Sequence, residues 1–283
     1  MQDFCLDNLD VSLDQGILDT HKGSFGHLLI ASGDTGYGGA GIIASESAIM
    51  SGCGLVTLIT KKEHIQSSLS RNPEVIAIGV DGRQDAETFL KDQKNLLIGP
   101  GLRESVWSQQ LCELFLTIAE RNEDINIVID AGGLYYMKEF GCPSNAIITP
   151  HPGEAAMLLD CSVEELQKNR LEAAKELYKR YNCLIILKGY QTIVFDGEAY
   201  QCTDGGPALS TAGTGDVLAG LLGSFLAQGL SKIDAAKFSV AIHGASGDKF
   251  SKYKGIRGLT ATCLLYTSPS PRDPTKSRMP SSA

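Results

Sequence analysis

No apolar run in the 283 residues approaches the roughly 18 that a membrane-spanning helix needs, and the acidic opening MQDFCLDNLD is not that of a signal peptide. A cytoplasmic location is the expectation. Basic side chains are too few for a nucleic-acid surface. There are 25 Lys and Arg against 33 Asp and Glu, a net charge of −8, which leaves room only for a local basic pocket around a phosphate. Eight cysteines stand far apart with no C-x-x-C pair, so neither a zinc site nor a disulfide framework is indicated. No internal repeat appears, and no linker divides the first 260 residues.

What is present is a 43% hydrophobic, 20% charged chain with ample core, organised around the stretch from Thr203 to Gly229. There, Ala212-Gly213-Thr214-Gly215-Asp216 runs into Val217, Leu218, Leu221, Leu222, Phe225 and Leu226 at helical spacing. A glycine loop feeding a helix offers free N–H groups and the positive end of a dipole, a place for an anion. The anion hole is expected from Gly213, Thr214 and Gly215. Asp216 would repel a phosphate unless it has a separate job. Two fit: capping the helix, or taking a proton from a hydroxyl about to attack phosphorus. The rest of the chain favours the second.

Upstream, residues 1–25 read as a polar lead-in. His27-LLIASG reads as a buried strand, followed by a long glycine loop, a helix from Ile42 to about Ser51, and the strand Leu55-VTLIT. Gly36-x-Gly38-x-x-Gly41, with Glu63 about 20 residues on, matches a dinucleotide fingerprint. Lys61 and Lys62 ahead of Glu63, and the length of the loop, weaken an oxidoreductase reading. Further strands are expected at Val75-IAIGV, Asn95-LLIGPGL, Ile125-NIVIDAGGL, Ala146-IIT and, paired around a Lys188-Gly189 corner, Leu184-IILKGYQTIVFDG and Glu198-AYQC. Helices are expected from Val106 to Glu120, from Glu154, from Val163 to Tyr181 and from Ile233 to Lys249. Strand after strand ends in Gly, Pro, Asp or His, and in an open parallel sheet those ends gather around the ligand.

Taken in order, KGSFGHLLIASG, GGAG, SGCGLVTL, IGPGL, VIDAGGL, TPHPGEAAMLL, LKGYQTIV, STAGTGDVLAGLLGSFLAQG and AIHGASGD resemble the ADP-dependent NAD(P)H-hydrate dehydratase family of the ribokinase-like superfamily, over residues 15 to 263. The resemblance implies an α/β fold, a three-layer sandwich with a mostly parallel central sheet. It also implies a repair reaction in which ADP or ATP, with Mg2+, phosphorylates the hydroxyl of hydrated NADH or NADPH (NADHX, NADPHX) and phosphate is expelled. Ala40 and Gly101 would line the hydrate pocket, with His151 against the hydrate. Lys188, Gly189, Tyr190, Gln191, Thr192 and Gly215 would hold the nucleotide, and Asp216 would be the base on the hydrate hydroxyl. A homo-oligomer is expected, and the epimerase domain that the family often carries ahead of this one is expected to be missing.

The family's strand end Asp-Ala-Asp is here Asp130-Ala131-Gly132. Residues alone leave other roles open. His151 could fix a turn, Lys188 could be a snorkelling strand-end lysine, Asp130 could bind magnesium through water or cap a turn, and His243 reads as packing. The rivals are a ribokinase-like kinase of a vitamin precursor or sugar, a Rossmann oxidoreductase, and a nucleotide-binding protein without catalysis. Residues 264–283, LLYTSPSPRDPTKSRMPSSA, lack apolar periodicity and resemble translated adapter or vector sequence, so they are expected to add nothing to the fold.

Overall fold

A computed structural model describes residues 1–11, 13 and 25–267. The remainder of the expected lead-in and the tail from 268 lie outside the described residues. The apolar runs become strands of one sheet: β1 (Gln2–Phe4), β2 (His27–Ala31), β3 (Leu55–Thr60), β4 (Ile76–Gly79), β5 (Asn95–Ile98), β6 (Asn126–Ile129), β7 (Ala146–Ile148), β8 (Leu184–Leu187), β9 (Ile193–Phe195) and β10 (Ala199–Cys202). Their order is β1-β10-β9-β8-β7-β6-β5-β2-β3-β4. From β8 to β4 every neighbouring pair is parallel. β9 runs antiparallel to both β8 and β10. Chain order reverses between β2 and β5, so the loops leaving those two strands part around a crevice, the place where open α/β sheets take ligands.

The helices are α1 (Gly38–Met50), α2 (Ile65–Arg71), α3 (Arg83–Glu87), α4 (Val106–Arg121), α5 (Gly132–Phe140), α6 (Pro152–Leu159), α7 (Val163–Lys168), α8 (Arg170–Tyr181), α9 (Thr214–Ala227), α10 (Lys232–Lys254) and α11 (Ala261–Thr267). Successive strand side chains point to opposite faces. Leu29, Leu96, Ile98 and Ile127 therefore join a core with Leu111 of α4, Leu134 of α5, Leu158 of α6 and Leu177 of α8. Leu28, Ile30, Leu97 and Val128 join a second core with Ala44 of α1, Leu221 of α9, Val240 of α10 and Leu264 of α11. Both faces are covered, which is why the strands read as continuous apolar runs. The result is a three-layer α/β sandwich. Among the described residues no helix is long and apolar enough to cross a membrane.

Four expectations are corrected. Residues 2–4 of the supposed lead-in are an edge strand, parallel to β10, with Phe4 buried. α1 begins at Gly38 rather than Ile42, so the supposed long glycine loop is half helix. The ring of His64 lies 2.4 Å from where a Cβ at position 38 would stand, and packing therefore demands glycine there despite its poor helix propensity. The helix expected from Val163 to Tyr181 is two helices. Asn169 (φ −148, ψ 78) ends α7, and its side chain accepts from Glu172 N to open α8. Finally, Leu264 and Leu265 are 0% and 5% exposed within α11, so packing continues past the boundary expected at 263.

Candidate active site

The first turn of α9 is set by Gly213, which takes φ 88, a left-handed conformation that costs glycine no Cβ clash. Thr214 turns away from the cleft. Its Oγ1 donates to the carbonyls of Leu209 (2.8 Å) and Thr211 (2.9 Å), and its N–H is aimed at Thr211 O at 3.4 Å. In this structure both donors of Thr214 are thus directed at the preceding loop rather than at the cleft. Among the described residues, the N–H groups of Gly213, Gly215 and Asp216 have no protein acceptor, and these are the donors the turn leaves open. No hydrogen bond from a described residue acts on the Asp216 carboxyl, only burial and the charges of Asp130 and Lys188, so it does not cap the helix. Burial, reinforced by the carboxylate of Asp130 and opposed by Lys188, pushes its carboxyl up to about 7.

The ends of β6, β7 and β8 bring the neighbours of Asp216 together. Lys188 Nζ lies 2.7 Å from Asp130 Oδ1 and 3.8 Å from Glu154 Oε2, while Asp130 Oδ1 also accepts from Thr149 Oγ1 at 2.6 Å. Asp130 is 2% exposed. Burial alone would lower the Lys188 ammonium, but Asp130, Glu154 and Asp216 hold it above its ordinary range. Glu154 is raised by burial and by Asp130, against the pull of Lys188. A Cβ at Gly215 would stand 3.6 Å from Lys188 Nζ, so the ammonium reaches the first turn of α9. Lys188 is an ion-pair partner rather than a snorkelling lysine, and it occupies the cation position beside Asp130. Among the described residues no three His, Cys, Asp or Glu side chains could together hold a metal ion.

His151 is the N-cap of α6. Its Nδ1 accepts from Gly153 N (3.0 Å) and Glu154 N (3.2 Å), and Glu154 Oε2 accepts from His151 N at 2.7 Å, a reciprocal cap. The imidazole remains more than half exposed. Ala40 and Gly101 are brought together across the crevice, for a Cβ at Gly101 would lie 3.0 Å from Ala40 Cβ. The loop from Lys188 to Thr192 turns outward, leaving Tyr190 73% exposed, and Thr192 Oγ1 donates to Gly189 O at 3.0 Å.

Three further residues near the site do more than the sequence reading assigned to them, although His243 was already read as packing. Asp34, three residues past the end of β2, is buried. Burial would raise its carboxyl, but Ser105 Oγ, Ser108 Oγ (2.8 Å), Thr35 N (2.7 Å) and Lys61 at 4.0 Å hold it below the usual range. It ties the first glycine segment to the start of α4. Glu154 was read only as a helix start. His243 braces α9, its Nε2–H donating to Thr214 O at 2.9 Å, and burial pushes its imidazole down to about 4, so it stays neutral. The signal for Asp34 was an acid placed immediately after the segment read as a buried strand.

Residues 28–270 match the NAD(P)H-hydrate dehydratase family. The chain belongs to that family. A bifunctional NAD(P)H-hydrate repair enzyme of Coxiella burnetii is 39% identical over 252 residues, covering 87% of this chain and 50% of that protein. The chain spans about half the length of the curated relatives it matches first. An ADP-dependent (S)-NAD(P)H-hydrate dehydratase of Enterococcus faecalis is 32% identical, over 87% of this chain and 84% of its own. A solved ribokinase-like superfamily protein from the same species superposes with a TM-score of 0.85 at 28% identity, covering 94% and 93% of the two chains. The ADP/ATP-dependent NAD(P)H-hydrate dehydratase of Bacillus subtilis, co-crystallised with ATP/Mg2+, gives 0.80 at 30% identity over 90% and 92%. The NAD(P)H-hydrate dehydratase fold of this chain is therefore ribokinase-like, as the sequence resemblance implied.

Proposed function

We propose that this chain restores NADH and NADPH from NADHX and NADPHX, using ADP or ATP as phosphoryl donor. Asp216 takes the hydroxyl proton of the hydrate, and the freed oxygen attacks the terminal phosphorus of the nucleotide. Phosphate then leaves carrying that oxygen, and a neighbouring carbon loses a proton to form the double bond, so the sum is hydrate and ADP to NADH, AMP and phosphate. The observation that carries the reading is Asp216 itself, a carboxyl raised to about 7, uncapped, beside Lys188 and the open N–H groups of the α9 turn. Those N–H groups would take the transferred phosphoryl oxygens. Ala40, Gly101 and the exposed edge of His151 would line the hydrate pocket, and residues 188–192 with Gly215 would meet the nucleotide.

Among the described residues, the side chains do not form a dedicated magnesium site. The ion would arrive on the nucleotide phosphates, and no step is assigned to it. A cytoplasmic homo-oligomer belongs to the same reading, and light scattering tests the assembly.

The deciding experiment incubates the protein with NADHX, magnesium and ADP or ATP, following NADH absorbance and released phosphate together. Both should rise in step, faster with ADP. A stable phosphoester without NADH would instead mark a kinase of a vitamin precursor or sugar. Hydride transfer to an added carbonyl would mark an oxidoreductase, and binding without turnover a nucleotide-binding protein.

A further inference from the structure

Arg170 carries three costs at once. It opens α8, where the helix dipole disfavours a cation. Its guanidinium is buried enough to depress its basicity, and its Nε has no partner. No carboxylate among the described residues pairs with it. What it does hold is backbone. Its four terminal N–H groups donate to the carbonyls of Leu187 (3.1 Å), Lys188 (3.2 Å), Tyr190 and Gln191 (3.4 Å).

Every peptide in the described chain is trans, and in a trans peptide the C=O and N–H point in opposite directions. Drawing those four carbonyls onto the guanidinium therefore turns the N–H groups of Lys188, Gly189, Gln191 and Thr192 to the other side. That of Lys188 is used by Pro150 O at 2.9 Å. The other three have no protein acceptor among the described residues. Gly189 at φ 137 and Gln191 at φ 55 supply the left-handed steps by which successive N–H groups converge into an anion-binding nest.

We infer that Arg170 is the positioning residue of this loop. It holds the carbonyls of residues 187–191 inward so that the N–H groups of Gly189, Gln191 and Thr192 face the phosphates of the adenine nucleotide. It also places an unpaired positive charge behind them. The inference rests on the proposed reading of the loop as the nucleotide's seat.

The test compares Arg170→Ala and Arg170→Lys with the parent, all as the full chain. Amide hydrogen exchange over residues 187–192 is measured without nucleotide, ADP affinity by calorimetry, and KM for ADP and for NADHX separately. In Arg170→Ala the loop should exchange at least about tenfold faster, and ADP should bind about tenfold to a hundredfold more weakly, the range for losing hydrogen bonds to a charged group. KM for NADHX should stay within about threefold of the parent, because none of these bonds faces the hydrate pocket. Millimolar guanidinium should restore part of the ADP affinity. Arg170→Lys keeps the charge but cannot span four carbonyls, so it should show the same faster exchange, and it carries the test if the alanine variant does not fold. Unchanged loop exchange would overturn the inference, as would equal weakening of ADP and NADHX. A parent protein that binds no ADP would overturn the nucleotide reading instead, and the exchange measurement, made without nucleotide, distinguishes the two failures.

Discussion

Replacing Asp216 by Asn should make the protein at once slower and more stable. The carboxyl rises from an ordinary 3.8 to about 7 on folding, so between those values the unfolded chain is ionised while the folded one keeps its proton. A raised carboxyl therefore costs stability as pH climbs from about 4 to 7, and the cost is level above that. At 1.36 kcal/mol per pH unit the ceiling is about 4 kcal/mol. Asn has the same shape and no charge, so Asp216→Asn should gain little near pH 4 and progressively more toward pH 8. For a domain of this size about 4 kcal/mol corresponds to roughly 10 °C in Tm. Turnover should fall by about 10² to 10⁴, the loss typical of removing a general base, while ADP still binds because the N–H groups of the α9 turn remain. Scanning calorimetry at pH 5 and pH 8, with NADH absorbance at saturating NADHX, reads both effects. A variant with near-parental turnover and a pH-independent Tm difference would refute the reasoning and leave Asp216 without a catalytic role.

Other expectations follow from single contacts. Removing residues 268–283 should leave Tm unchanged, whereas removing 264–283 should lower it by several degrees. The second deletion takes away Leu264 and Leu265, and burying each such side chain is worth about 2–5 kcal/mol in truncation series; differential scanning fluorimetry separates the two. Gly132→Asp, which writes back the acid of the family pattern, should destabilise, because its Cβ would stand 2.3 Å from Leu102 O; a stable variant in denaturant melts would contradict the packing. Asp34→Ala leaves the hydroxyls of Ser105 and Ser108 without their acceptor and should cost about 1–3 kcal/mol, with KM for NADHX raised more than KM for ADP. The depressed Asp34 carboxyl gives stability present above about pH 4 and lost below it, so the parent's acid melt should show a loss that the variant lacks.

Much of this was legible in the residues. Continuous apolar runs between glycines and acids marked eight of the strands, and the Gly213–Asp216 turn stood out by pattern alone. The failures have physical causes. β1 is three residues whose partner lies about 200 positions away, so no local periodicity announces it. Gly38, Gly39, Ala40 and Gly41 read as loop on propensity, and only tertiary contacts, with the ring of His64 at Gly38 and with Leu58 and Ser32 at Gly41, show why helix and glycine coexist at those two positions. Leu264 and Leu265 are two apolar residues ahead of a polar, proline-rich run, too few to display a period. Arg170 was hidden inside the helix expected from Val163 to Tyr181, because nothing in sequence marks a cation whose partners are carbonyls.

The charges around the site explain how an acid-rich pocket can receive phosphates. Lys188 is the expected phosphate ligand, yet Asp130 at 2.7 Å and Glu154 at 3.8 Å already answer its charge, so it offers little net attraction. The attraction has to come from backbone donors, at Gly213 and Gly215 on one side and at Gly189, Gln191 and Thr192 on the other, together with the unpaired guanidinium of Arg170. Such fixed dipoles stabilise developing charge without reorganising. Burial, reinforced by the carboxylate of Asp130, makes a charge on Asp216 costly, so under the proposed mechanism Asp216 gains by accepting the proton of the hydrate hydroxyl. In the proposed mechanism that proton goes to Asp216, which the α9 turn sets beside the open N–H groups.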